Sequence, residues 1–402
     1  MNEILHFGPG NFFRAHLAEY THDAGGWRVT GVSLRSSSVR DGLAAQNFNY
    51  TLVASGQPPK TINVIDNVYV APESAEGIVE LVKNPQFAIL SATVTEKGYA
   101  LDPSGELDLS HPDIVHDLQS GSARSFIGIV ARGLAERTSP ITVLSCDNRL
   151  GNGDALARAV RRFQTAAGLE MRCDATFPNA MVDRITPATT DAQRELYKDP
   201  MVVTCEAFKE WVVEDNFATP RPNWPKVQWV SDVKPHEMRK LRMLNGSHSY
   251  LAYAGLLAGH TFVHEAIADP ELRRCTRGLM REAALSLPAE MHGFAENYAN
   301  DLIARFDNKS VNHVLQQIAM DGSEKVPYRL LDTIRENQKN GAPVMFLANA
   351  VRAWLDFVIR ESEQNRPLQD PRSNELAAAA QHPEPRPAIL SVIGAGDVAG
   401  IL

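Results

Sequence analysis

The chain has 402 residues, 44% of them hydrophobic and 22% charged, and a formal net charge of −8. That length suits two domains, and the composition is that of an ordinary soluble protein with a sizeable core. The acidic balance offers no general attraction to nucleic acid or to an anionic membrane surface, and no apolar run is long enough to span a bilayer. The four cysteines, Cys146, Cys173, Cys205 and Cys275, are scattered without a CxxC pair. Neither a disulfide framework nor a structural zinc site is expected, and a reducing cytoplasm is the simplest home. No basic stretch followed by an apolar one opens the chain, so a signal peptide is not expected either.

Residues 3–7 are a short apolar run that ends at Gly8-Pro9-Gly10, after which Asn11-Phe12-Phe13-Arg14 turns helical. Strand, glycine turn and helix open a Rossmann unit, whose glycines let the backbone approach a pyrophosphate at the helix N-terminus. Gly8, Gly10, Asn11 and Phe12 are therefore candidate cofactor-binding positions. Phe13 stands where GxGxxG has its third glycine, so the motif by itself leaves the nucleotide site open. Residues 27–34 read as the second strand, whose end commonly carries an acid for the ribose hydroxyls. Here Arg35 and three serines follow. Arg35 is either a partner for a 2′-phosphate or a surface arginine in a polar loop.

Further strands are expected at 50–54, 63–71 and 87–94. The last runs into Thr95 and Glu96, at the carboxyl end of a strand, where cofactors sit in such sheets. These two lie near a nicotinamide ribose or merely cap a turn. Residues 122–137 read as a helix and 140–145 as a buried strand tipped by Cys146-Asp147-Asn148. Asn148 is placed to donate to a substrate oxygen, whereas Asp147 suits a helix cap. Asp183-Arg184 reads as a structural ion pair. Residues 199–232, rich in tryptophan and proline, read as irregular connection. Beyond 251 almost everything is helical, notably 252–258, 272–285, 293–306 and 343–361. The expected architecture is α/β: a Rossmann-type dinucleotide-binding domain over 1–230 and a mainly α-helical domain over 231–402.

Residues 237–251 read as the first helix of that second domain, with no proline and many Leu, Met, Arg and Lys. On a wheel of about 100° per residue, Glu237, Lys240, Asn245 and His248 share an arc with Leu241, Leu244 and Leu251. Polar groups among leucines cost free energy unless paired, which points to a cleft. A lysine there loses hydration, its pKa falls, and it becomes a usable general base. Asparagine amides suit a developing oxyanion, and histidine orients or relays a proton. The same spacing also fits a solvated helix with one polar face.

Lys240, Asn245 and His248, within Lys240-Leu241-Arg242-Met243-Leu244-Asn245-Gly246-Ser247-His248-Ser249, resemble the long-chain polyol dehydrogenases, a family that includes mannitol 2-dehydrogenase and fructuronate reductase. So do residues 177–187, residues 94–99 and Ser145-Cys146-Asp147-Asn148, and the resemblance runs from His6 to about Arg360. It implies an oxidoreductase that interconverts a secondary alcohol of a sugar acid or polyol with its ketone, using NAD or NADP and no metal. It implies Lys240 as acid and base, Asn148 and Asn245 as donors to the reacting oxygen, His248 orienting substrate, and Glu237 governing water and proton exchange. The segment holding His313, Gln317, Lys325 and Arg329 looks more like the fructuronate reductase (D-mannonate oxidoreductase) branch than the mannitol and arabinitol one. Lys325 or Arg329 would then hold a hexuronate carboxylate, or both would simply pair with Asp321 and Glu324 on the surface. The expected partner is a small sugar acid or polyol, bound by a monomer or small homo-oligomer. One rival is a nucleotide-sensing protein on the same fold, which has no use for Lys240 and the two asparagines. A zinc alcohol dehydrogenase is disfavoured by the cysteine spacing.

Overall fold

The computed structural model describes residues 3–94, 96–102 and 104–400 and divides into two compact units, Met1–Lys234 and Pro235–Leu402. In the first unit six strands form an all-parallel sheet: Glu3–Phe7, Arg28–Ser33, Ile65–Val70, Phe87–Ala92, Ile141–Ser145 and Ala175–Thr176. Counted in chain order they lie 3-2-1-4-5-6 across the sheet. This is the doubly wound Rossmann order, and its direction reverses between Glu3–Phe7 and Phe87–Ala92. Phe87–Ala92 and Ile141–Ser145 are buried at every position, which is why they read as unbroken apolar runs rather than alternating ones. Leu5, Leu90 and Val143 pack one face against Ile78, Val130 and Phe163. Ile4, Val29 and Ile89 pack the other against Phe13, Leu17 and Tyr20. At the sheet's amino end the buried Arg137 donates to the carbonyls of Val82, Asn84, Phe87, Ser139 and Pro140.

The stretch expected to be irregular instead holds three short strands. Val203–Cys205 joins Tyr50–Ala54 and Lys60–Ile62 in one small sheet, and Glu210–Glu214 lies between Ala180–Asp183 and Gln228–Val230 in another. Their tryptophans are core rather than loop packing. Trp211 is fully buried, 4.6 Å from the Trp224 ring and 5.2 Å from that of Tyr20. The helix after the glycine turn also breaks, into Asn11–Ala15 and Leu17–Ala24. His16 leaves helical geometry at the break, and its ring nitrogen bonds the Glu210 carbonyl at 3.2 Å. Arg184 pairs with Glu19 and donates to the carbonyls of Ala15 and Glu206.

The second unit is helical. Gly246–Leu257 runs through its middle, against Pro270–Leu285 and Met345–Glu363. Every residue from Gly246 to Tyr253 is buried, so the amphipathic reading needs correction. Gly246 and Tyr250, which fall off the leucine-bearing arc of a uniform wheel, are buried too, as expected of a helix enclosed all round. The approach to this helix is irregular as well. Lys234–Arg239 is α-helical, but Lys240–Asn245 is a π turn, in which the Gly246 N–H reaches back five residues to the Leu241 carbonyl. A second π turn, Pro327–Leu331, packs against the first. Such turns are rare and recur at functional sites. Among the described residues, no helix is long and apolar enough to cross a membrane, and no group of His, Cys, Asp and Glu is placed to hold a metal ion.

Candidate active site

In the first unit the chemistry gathers at the carboxyl ends of the central strands. Gly8 adopts φ +87°, and a Cβ there would lie 2.5 Å from the Thr93 carbonyl oxygen. The turn is fastened by Gly8 N–H to the Val32 carbonyl at 2.9 Å and by the Thr93 hydroxyl donating to the Gly8 carbonyl at 2.7 Å. Gly10 is different: its missing side chain would meet nothing closer than 4.0 Å. It leaves open space in front of the first helical turn, where backbone N–H groups lack helical partners. A phosphate-bearing cofactor fits there. Asn11 meets that space through its backbone. Its side chain accepts from Arg14 at 2.6 Å and donates to Thr189 at 3.3 Å. Phe12 is half-buried and stacks on His16. Phe13 replaces the third glycine because its ring stacks on His6, centroids 3.7 Å apart. His6 in turn bonds Ser91 and Thr93, and burial pushes its pKa down to about 3, so it stays neutral.

Gly8→Ala therefore meets both a left-handed backbone and a fixed carbonyl. We expect it to destabilise the protein by about 1–3 kcal/mol and to weaken dinucleotide binding. Denaturant unfolding and NADH fluorescence titration measure the two, and an unchanged unfolding midpoint would contradict this reading of the turn.

Arg35 is exposed just past the second strand. Among the described residues it makes no hydrogen bond or ion pair. Neighbouring Arg40, by contrast, holds both Asp41 and Glu73. Thr95 lies outside the described residues, as does the Glu96 side chain; the Glu96 backbone begins a short 3-10 turn ending at Tyr99. Asn148 is exposed beyond the fifth strand. Asp147, just before it, is held by contacts that spacing does not reveal. The Tyr99 hydroxyl donates to the Asp147 carboxylate at 2.6 Å, the Val94 N–H reaches the same oxygen at 3.3 Å, and Tyr99 and Ser145 hydroxyls lie 2.6 Å apart. Asp147 thus ties the segment after the fourth strand to the tip of the fifth.

In the second unit Glu237, Lys240, Asn245 and His248 follow one another along a single helical run. Glu237, Asn245 and His248 are buried and Lys240 is half-buried. The π turn winds residues 240–245 more loosely than an α-helix, which narrows the angle between Lys240 and Asn245 relative to the edges they occupy on a uniform wheel. His248 stacks on Phe306 at 4.6 Å and meets the His313 ring edge-on at 5.2 Å. Burial drives its pKa well below the usual value, and His313, Arg305 and Arg329 push in the same direction. Arg329, on the second π turn, is 9% exposed and donates to the Ser249 hydroxyl at 3.3 Å. Its backbone carbonyl packs on Gly246. So His248, His313 and Arg329 come together. Lys325 is held by its own turn: its ammonium donates to the Met320 carbonyl at 2.7 Å and lies 3.8 Å from Asp321. Phe306, Arg305 and Ser249 are members of this cluster that the motif reading did not name; Ser249 was within reach, being inside the quoted motif.

Two family models match almost the whole chain, the mannitol dehydrogenase Rossmann domain over residues 2–226 and the mannitol dehydrogenase C-terminal domain over 232–395. A D-mannonate oxidoreductase from Escherichia coli is 40% identical over 401 residues, covering 91% of this chain and 82% of the relative. A mannitol 2-dehydrogenase from Phaeosphaeria nodorum is 35% identical over 412 residues, covering 94% of this chain and 72% of its own. In solved structures, the Pseudomonas fluorescens mannitol 2-dehydrogenase in ternary complex with NAD and D-mannitol superposes with a TM-score of 0.84 at 32% identity, over 99% of this chain and 86% of that one.

Proposed function

The chain belongs to the mannitol dehydrogenase family of oxidoreductases, and on that premise we propose that it interconverts a secondary alcohol of a sugar acid with the matching ketone, as a D-mannonate oxidoreductase does by its name. The observation that carries the reading is the run of Lys240, Asn245 and His248 along one buried helix with a π turn at the lysine. Bound NAD(P) would accept or return the hydride. In oxidation uncharged Lys240 takes the hydroxyl proton as the C–H hydride leaves; in reduction the ammonium returns that proton to the carbonyl oxygen. Asn245 donates to the oxygen as charge develops on it, and Asn148 is assigned the second such amide. His248, neutral, orients the substrate, and Glu237 governs proton exchange. Gly8, Gly10, Asn11 and Phe12 receive the pyrophosphate, with Thr95 and Glu96 assigned to the nicotinamide ribose. No carboxylate follows the second strand directly and Arg35 is unpaired, so a 2′-phosphate is tolerated and both NAD and NADP serve.

The test is to mix the purified protein with NADH or NADPH and either a ketohexuronate or fructose, and to follow coenzyme oxidation. Faster turnover of the keto acid is expected. Turnover of fructose alone would favour the mannitol 2-dehydrogenase alternative. Coenzyme binding with no turnover of any ketone would instead favour a nucleotide-sensing protein.

A further inference from the structure

Two buried arginines of this protein are well supplied with partners. Arg137 has a set of backbone carbonyls, and Arg184 has Glu19 and two carbonyls. Arg329 is not so supplied. It is as buried as they are in kind, yet its recorded hydrogen bond is the single long one to Ser249, its Nε has no partner, and no carboxylate pairs with it among the described residues. A buried guanidinium left this way is unfavourable, and proteins retain such a group where something else completes it. Two more polar atoms nearby lack partners, Nε2 of His248 and Nδ1 of His313. The neighbours that act electrostatically on His248 are all cationic or imidazole: His313, Arg305 and Arg329. A fork of N–H donors beside two ring nitrogens is complementary to an anion with planar, paired oxygens.

We infer that Arg329, with the ring nitrogens of His248 and His313 beside it, seats a substrate carboxylate, so that the substrate is a sugar acid and the discrimination against polyols resides in this one guanidinium. The inference rests on the dehydrogenase reading above and sharpens it. It also moves the cation away from Lys325, whose ammonium answers to its own turn. Arg329 is a specificity residue here: it acts on the end of the substrate, and the proton remains with Lys240.

D-Mannonate and D-mannitol test this, because they share a carbon skeleton and differ at one end, carboxylate against hydroxymethyl. The wild-type protein should show the higher kcat/KM for mannonate. Arg329→Met should lower the mannonate-to-mannitol ratio of kcat/KM about a hundredfold, mainly through KM, since a charge-assisted pair is lost. Arg329→Lys should keep part of the preference. The melting temperature separates this from a structural role. Removing an uncompensated buried charge should leave Tm unchanged or raise it. A wild-type preference for mannitol, an unchanged ratio in Arg329→Met, or a fall in Tm with equal loss on both substrates would each overturn the inference while leaving the dehydrogenase reading intact. If neither compound is oxidised with either coenzyme, the dehydrogenase reading itself fails, and the inference with it.

Discussion

Replacing Lys240 by alanine should lower turnover by about 10²–10⁴-fold, the usual consequence of removing a positioned acid and base, while NADH or NADPH still binds. The expectation rests on where the chain puts this lysine. It opens a π turn, is half-buried, and precedes the buried Asn245 and His248 on the same run. None of the groups assigned to the cofactor lies in that helical unit: Gly8, Gly10, Asn11 and Phe12 all belong to Met1–Lys234. Coenzyme titration by fluorescence should thus be flat between wild type and Lys240→Ala, with the loss confined to kcat. Lys240→Arg should be equally inactive, because a guanidinium does not give up its proton near neutral pH. An added primary amine should restore part of the alanine variant's activity and none of the arginine variant's. Near-normal turnover in Lys240→Ala at neutral pH would end the proposed mechanism.

Mild acid should unfold the protein by way of its histidines. Burial pushes His6 and His16 down to about 3 and His313 to about 4, and His248 lies well below its ordinary value. Each is neutral in the folded chain and titrates near 6.5 once unfolded. Above that value both states are uncharged, and the contribution of each ring to stability is complete. As pH falls below it, the unfolded chain binds protons that the folded chain refuses. Stability then drops by about 1.4 kcal/mol per pH unit for each histidine, until the folded pKa is reached. Four such groups give a combined slope of up to about 5 kcal/mol per unit, comparable with the whole stability of a small domain, ~5–15 kcal/mol. Urea midpoints at about pH 7 and about pH 5 measure it, and His313→Gln should flatten the slope by about a quarter. Equal midpoints at the two pH values would show that these rings are protonated in the native protein after all.

The parts of the fold that could be read in the sequence are those governed by local signals. The glycine turn announced itself through Gly8 and Gly10, and the central strands through unbroken apolar runs. What escaped depends on distant partners. Phe13 looked like a defect in the glycine motif until His6, seven residues earlier, supplied the ring beneath it. Strands of three residues such as Val203–Cys205 and Gln228–Val230 are too short to show a period, and the burial of Trp211 depends on Tyr20 and Trp224. Lys325 and Arg329 are two cations four residues apart, and nothing in their spacing says that one curls onto Met320 while the other is enclosed beside Ser249. Placing Lys240, Asn245 and His248 on one helix was possible from spacing and resemblance. Their aim was not, because a wheel assumes uniform winding and residues 240–245 do not have it.

That departure from uniform winding bears on any attempt to toughen this protein. Lys240–Asn245 and Pro327–Leu331 each hold more residues per turn than an α-helix would use. Deleting one residue from either would regularise the backbone and tempt a designer seeking a higher melting point. It would also swing every side chain upstream of the cut by about 100° relative to those downstream. Lys240 would then turn away from Asn245 and His248, or Arg329 away from the two histidines, and a sturdier protein would result with its tools pointing in different directions.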